Sequence, residues 1–289
     1  MTDLRYEAPE TLQAAVALLA GATGPARVLA GGTDVIVQME TDLIEPALLV
    51  DIKKIPEVRR ITAENGGFRV GAAVPGMEIM HHAALCKEWP GVVDGVKLIG
   101  SIQVRGRASI GGNLCNASPA ADSVPPLVAA GALARIIGPG GVREVPVETI
   151  PVAPGKTSLA KGEIVTSFFL PPRPPHSSDA YQRFTPRTEM DIAVVGVAVS
   201  LTLDRGGTCT AARVALGAVA PTVLLVKEAA DALIGTRLDE GALERLAEAA
   251  SAACRPIDDK RGTKEYRIKV AGVLAKRTAL EAFERARKN

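Results

Sequence analysis

The sequence predicts an α+β protein in three parts: two α/β subdomains over residues 1–56 and 57–175, then a C-terminal domain of antiparallel sheet plus helices over 176–289. Three observations carry this. Before Ile55-Pro56, a helical pattern and short apolar runs around a glycine turn make a βαβ-like unit, in which a parallel pair needs its crossover. Through the middle, short strands alternate with glycine turns and short helices. After Pro171-Pro172-Arg173-Pro174-Pro175, a stiff extended run that reads as a linker, comes a long apolar strand with its return, then helices.

The elements follow in order. Over residues 4–21, Leu12, Ala15, Val16 and Leu19 share one helical face, with Pro9 near the start and Gly21 at the stop. Arg27 to Ala30 is a strand, Val35 to Glu40 a short helix and Ala47 to Ile52 the next strand. Gly66-Gly67 separates short strands at Arg60-Ile61 and Phe68 to Gly71. Met77 to Leu85 and Val96 to Arg105 read as helices, and a further helix starts at Pro119 or Ser123 and runs to Ala130. Leu133 to Ile137 and Val142 to Val145 flank Gly138-Pro139-Gly140-Gly141, a hairpin turn. Ile164 to Leu170 is a strand. In the last third, Ala193 to Leu203 and Arg213 to Val219 are strands, and helices lie near Val226 to Leu233, Ala242 to Cys254 and Lys264 to Arg287. The final helix is basic, and reads as a solvated packing helix because no matching basic face occurs elsewhere.

Composition excludes several functions. Lys plus Arg is 34 against Asp plus Glu 32, which argues against a dedicated nucleic-acid surface. Aromatics make up 3% of a chain that is 47% hydrophobic, so the cores are aliphatic. Cys86, Cys115, Cys209 and Cys254 form no C-x-x-C pair, and His81, His82 and His176 have no partner at ligand spacing, so neither a metal site nor a disulfide framework is expected. No complete G-x-G-x-x-G follows a strand and no P-loop is present. No leader pattern opens the sequence and no apolar run approaches about 18 residues, so the expectation is a soluble cytoplasmic protein with no integral membrane segment.

Two stretches carry chemistry. Ser109 to Asp122 begins with a hydroxyl and an apolar residue, followed by Gly111, Gly112 and Asn113. The glycines can reach φ > 0 and admit an outside group close to the backbone, and successive free N–H groups favour an anion. Ser118-Pro119 reads as an N-cap followed by proline in the first turn. Asp122, near the start of that helix, cannot help bind phosphate but can accept from hydroxyls. Taken alone, these residues read equally well as a tight surface turn before a helix. The second stretch is Val28 to Val35, an apolar strand ending in Gly31-Gly32-Thr33-Asp34, with Thr33 or Asp34 capping the next helix. One diphosphate could lie between two such bends.

These two loops together resemble the FAD-binding subunits of molybdenum hydroxylases: the medium subunit of carbon monoxide dehydrogenase, the FAD subunit of bacterial xanthine dehydrogenases, and relatives acting on nicotinate or aromatic acyl-CoA compounds. The resemblance spans nearly the whole chain. Besides Ala30-Gly31-Gly32-Thr33-Asp34 and Ser109 to Asp122, it includes Val70-Gly71-Ala72, Gln103-Val104-Arg105, Gly162-Glu163-Ile164-Val165 and Asp191-Ile192-Ala193-Val194.

The resemblance implies a PCMH-type FAD-binding fold and FAD as cofactor. It implies a diphosphate and ribityl grip from Leu29, Ala30, Gly31, Gly32, Thr33, Asp34 and Val35 on one side and Ser109, Ile110, Gly111, Gly112 and Asn113 on the other. Asp122 would take a cofactor hydroxyl, Ile99 would lie near the cofactor and Val165 would contact it through the backbone. Arg183 falls where relatives often carry a Lys beside the flavin, a change that keeps the charge and alters its geometry. The implied role is electron transfer in an oxidoreductase. A molybdenum-cofactor large subunit would hydroxylate substrate, and [2Fe-2S] clusters in a small subunit would pass electrons to FAD here and on to an external acceptor. The assembly would be a dimer of heterotrimers, with molybdenum and iron–sulfur groups outside this chain. A standalone flavin oxidoreductase of the same fold and a non-catalytic scaffold subunit are the alternatives.

Overall fold

A computed structural model describes residues 4–289. The first unit is a three-stranded parallel sheet of order β1-β3-β2, built from β1 (Arg5–Glu7), β2 (Ala26–Leu29) and β3 (Leu48–Asp51). The helices α1 (Leu12–Gly21) and α2 (Val35–Glu40) belong to it. Thr11 starts α1 by accepting the Ala14 amide, and Ala15, Val16 and Leu19 turn inward. The helix therefore starts later than residue 4. Arg5–Glu7 instead pairs with β3, a strand too short to show a period.

The second unit centres on a five-stranded antiparallel sheet of order β4-β5-β10-β6-β7. Its strands are β4 (Ile61–Glu64), β5 (Gly67–Gly71), β6 (Leu133–Gly138), β7 (Gly141–Pro146) and β10 (Ile164–Leu170). A small β8 (Pro151–Ala153) and β9 (Lys156–Thr157) ribbon precedes β10. Between β5 and β6 run α3 (Gly76–His81), α4 (Ala83–Glu88), α5 (Pro90–Lys97), α6 (Ile102–Arg105), α7 (Ile110–Cys115) and α8 (Val124–Ala129). The expected helix from Val96 to Arg105 is broken. Gly100 takes φ +52 with Val104 packed where its side chain would be, and Ser101 then caps α6. The helix expected from Pro119 or Ser123 starts at Val124, with prolines in its first turn.

The third unit is a four-stranded antiparallel sheet of β11 (Ser177–Phe184), β12 (Val195–Leu203), β13 (Cys209–Gly217) and β14 (Leu224–Leu225). It is covered by α9 (Lys227–Asp231), α10 (Glu240–Ala253) and α11 (Lys264–Ala286). The strand β11 has no counterpart in the sequence reading, because Ser177-Ser178-Asp179 looks like loop. It is nevertheless buried, and its polar side chains find partners except Ser178, whose buried hydroxyl meets no acceptor or donor among the described residues. Ser177 pairs with Thr202 at 2.8 Å, Asp179 with Arg173 at 2.8 Å and Tyr181 with Asp122 at 2.8 Å. The proline-rich run before it is anchored rather than free, since Arg173 also donates to the Glu88 carbonyl and stacks on Trp89 at 4.0 Å. Tyr181, Ala198 and Ala215 share a hydrophobic core with Val92 and Leu127, so the second and third units pack as one body.

Candidate functional site

The strand β2 ends at the buried Leu29, and the chain bends through Ala30 to Asp34 before α2 begins. Gly31 is there for close approach: a Cβ would lie 2.1 Å from the Arg107 carbonyl oxygen. Gly32 is there for conformation, with φ +82. Among the described residues, the amides of Gly31, Gly32, Thr33 and Asp34 donate to no acceptor. Four successive free N–H groups at a bend form a concavity that favours an anion.

The second stretch faces the first. Ser109 caps α7, its Oγ accepting from Gly112 N at 3.1 Å. Gly111 and Gly112 therefore lie inside the first helical turn, and neither uses φ > 0, contrary to the free bend expected. Gly111 is needed for contact, since a Cβ there would stand 2.4 Å from the Ala72 carbonyl oxygen, to which its own amide donates. Gly112 is different: a Cβ would meet only Ser109 Oγ, at 3.3 Å. Asn113 Oδ1 accepts from both Ser123 N and Ser123 Oγ, tying α7 to the start of α8.

Both bends line one cleft of about 720 Å³. Ala30, Gly31, Gly32, Thr33, Asp34, Val35, Ile99, Ser109, Gly111, Gly112, Asn113 and Val165 all face it. Leu29 and Ile110 do not; they are buried behind the bends. Val165 reaches the cleft at a β-bulge in β10, where Thr166 leaves the ladder with β6 and its carbonyl accepts from the Ala72 amide. Asp122 and Arg183 are brought to each other rather than to the cleft lining. Arg183 Nη1 donates to Asp122 Oδ2 at 2.5 Å, Tyr181 donates to the other oxygen, and Arg183 also reaches the Asp191 carbonyl. Burial raises the Asp122 carboxyl to about 6, against the lowering effect of Arg183 and Tyr181.

Sequence reasoning missed Gln38, Asn116, Arg27 and Lys161, which also line the cleft. Asn116 sits inside the Ser109–Asp122 stretch, but nothing in its local pattern sets it apart from its neighbours. The chemistry available is binding. The Cys115 thiol in the cleft wall is pushed up to about 12 by burial, so it is no nucleophile at neutral pH. The carboxylate of Glu163 is taken by Arg143, at 2.9 and 2.8 Å, and by the Ala160 amide.

A cleft with a run of free amides in its wall, set between two sheet-and-helix units, has the form of a nucleotide-cofactor pocket. Two family models match the chain: the FAD binding domain in molybdopterin dehydrogenase over residues 2–173, and the CO dehydrogenase flavoprotein C-terminal domain over residues 179–282. The chain belongs to the family of FAD-binding subunits of molybdenum hydroxylases. It is 34% identical over 282 residues to the carbon monoxide dehydrogenase medium chain of Afipia carboxidovorans, covering 98% of this chain and 97% of that one. It is 33% identical over 283 residues to the xanthine dehydrogenase FAD-binding subunit of Escherichia coli O157:H7, covering 97% and 96%. Among solved structures it superposes on a chain of the Cu,Mo-CO dehydrogenase in its cyanide-inactivated form with TM-score 0.94, at 34% identity and 98% coverage of both chains. A chain of quinoline 2-oxidoreductase from Pseudomonas putida 86 gives TM-score 0.90 at 29% identity, with 98% of both chains covered.

Proposed function

We propose that the cleft holds FAD and that this chain is the electron-transferring flavoprotein subunit of a molybdenum-containing hydroxylase or dehydrogenase. The observation that carries the reading is the run of free amides from Gly31 to Asp34 facing the Ser109-capped turn across one cleft. Those residues fit a dinucleotide diphosphate: they offer donors and approach space, and the added Cβ of an alanine would fill the space at Gly112. When bound, FAD supplies the electron-carrying chemistry. The chain itself binds and orients it. The Gly31–Asp34 amides and the Ser109 turn take the diphosphate, Ile99 and the backbone at Val165 bound the cleft, and the Asp122–Arg183 pair braces the wall behind Asn113 through Ser123.

The relatives named medium chain imply a larger and a smaller companion. On this reading these are a molybdenum-cofactor large subunit and an iron–sulfur small subunit, assembled as a dimer of heterotrimers that hands electrons to an external acceptor. The four cysteines are free thiols, which suits the reducing cytoplasm. Against a self-sufficient oxidoreductase, the Cys115 thiol and the Glu163 carboxylate in the cleft wall are unavailable for acid–base work, and the Asp34 carboxylate is held by Asn116.

The test is the absorbance of the gently purified protein, followed by mass identification of the chains that accompany it. A flavin band near ~450 nm that stays with the protein and releases FAD on denaturation is expected. A flavin-free protein that also fails to take up added FAD would falsify the reading.

A further inference from the structure

Asp34 occupies the N-cap position of α2, where an aspartate ordinarily turns its carboxylate back onto the amides of the first turn. Here it does not. Its backbone is helical (φ −103, ψ −52) rather than extended, and it makes no capping bond. Its carboxylate accepts from Asn116 Nδ2 at 3.2 Å instead. The other end of the same amide, Asn116 Oδ1, accepts from Gln38 Nε2 at 2.8 Å. The orientation is chemically forced: a carboxylate only accepts, so Asn116 must present nitrogen to Asp34 and oxygen to Gln38.

All three side chains line the cleft. Asp34 and Gln38 stand at the start and on the next turn of α2, while Asn116 immediately follows α7. The amide therefore ties the two bends together and draws a negative charge aside. Without that tie, the Asp34 carboxylate is free to fold back onto the amides of its own bend, where it would compete with a diphosphate for the same donors.

We propose that Asn116 is a positioning residue for the diphosphate grip, holding the two bends at their working separation and keeping the Asp34 carboxylate off the Gly31–Asp34 amides. The inference rests on the reading of this cleft as the FAD site and adds to it a residue that acts on the cofactor only through Asp34 and Gln38.

The experiment is a titration of the deflavinated full-length chain with FAD, followed by flavin fluorescence, with the melting temperature of each FAD-free protein as a control. N116D sets two carboxylates against each other, and its Kd should rise by about tenfold or more, the size of one lost charge-assisted hydrogen bond. The exchanged pair D34N/N116D restores a donor facing an acceptor with the polarity reversed, and leaves Gln38 a carboxylate to donate to. It should recover binding to within about threefold of wild type, a coupling that independent sites would not show. A general packing role predicts no such rescue. Should N116D fold poorly, N116S removes the tie without adding charge and should still weaken binding while D34N/N116D recovers it. Equal FAD affinity in wild type and the single variants, or an exchanged pair that melts like wild type yet binds no better than N116D, overturns the proposal. A wild-type chain that takes up no FAD contradicts the cofactor assignment instead, so the two failures are told apart.

Discussion

Gly111 and Gly112 are adjacent in sequence and do different work. Gly111 is pressed against the Ala72 backbone, whereas Gly112 opens toward the cleft beside Ser109 Oγ. An added methyl at residue 111 collides with main chain that cannot swing aside, so Gly111→Ala should lower stability by about 1–3 kcal/mol, the usual cost of overpacking. Gly112→Ala should melt within a few tenths of a kcal/mol of wild type, yet retain less FAD, because its methyl would enter the cleft proposed to hold the cofactor. Melting curves and flavin-to-protein ratios for the two variants check this; equal thermal losses in both would show that the cleft face of Gly112 has been misassigned. Both glycines stood out in the sequence as a candidate site, and both line the cleft. Their division of labour was not, since only Ala72, brought in from the central sheet, distinguishes them.

At the scale of elements, the clearest device is Asp179 of β11. Its Oδ2 accepts the Val92 amide at 3.1 Å in the first turn of α5, and its Oδ1 accepts from Arg173 at 2.8 Å. Both side chains of the ion pair are nearly sealed from water, at 2% and 6% exposure. The pair itself adds little net stability, but removing one partner strands the other charge. Asp179→Ala should therefore cost about 3–5 kcal/mol, measured by chemical denaturation. A loss below about 1 kcal/mol would mean that Arg173 finds another partner, such as Ser200 or the Glu88 carbonyl that it already contacts. The strand that carries Asp179 was invisible to pattern reading for a physical reason. Burial of polar residues becomes tolerable only when partners arrive from elsewhere, here from the proline-rich segment, from α5 and from β12. The broken helix at Gly100 was misread for the opposite reason: a continuous apolar pattern hid a left-handed turn.

Across the whole molecule, the second and third units are tied by a common core and by buried polar contacts. Tyr181 and Arg183 reach Asp122, Arg285 of α11 reaches Asp94 of α5 at 2.6 Å, and Ala198 and Ala215 enter the core around Leu127. The end of the family model at residue 173 thus marks a sequence boundary and not a seam that can be cut cleanly. A chain shortened to residues 1–175 would expose the faces of α5 and α8 that β11 and β12 now cover. It should be poorly soluble or melt far below the full chain, and should not retain FAD. Size-exclusion behaviour and thermal melting of that fragment test the point; a monomeric, cooperatively melting fragment would refute it.

What the sequence determined by itself was the chemistry that short stretches of backbone can carry. Gly31-Gly32-Thr33-Asp34 announces amides open to an anion and Ser109 to Asn113 a hydroxyl-capped helix start, because glycine spacing and a capping hydroxyl are local properties, although the Gly111 and Gly112 amides are taken by Ala72 and Ser109. The aliphatic strands and the last helices were legible for the same reason, since periodicity is local. Only the tertiary structure decided that the two bends face each other across one cleft, that Asn116 links them through Asp34 and Gln38, and that Asp122 turns to Arg183 and Tyr181. Each of these joins residues dozens of positions apart. Whether a side chain meets a cofactor, a partner or solvent depends on which distant backbone arrives beside it.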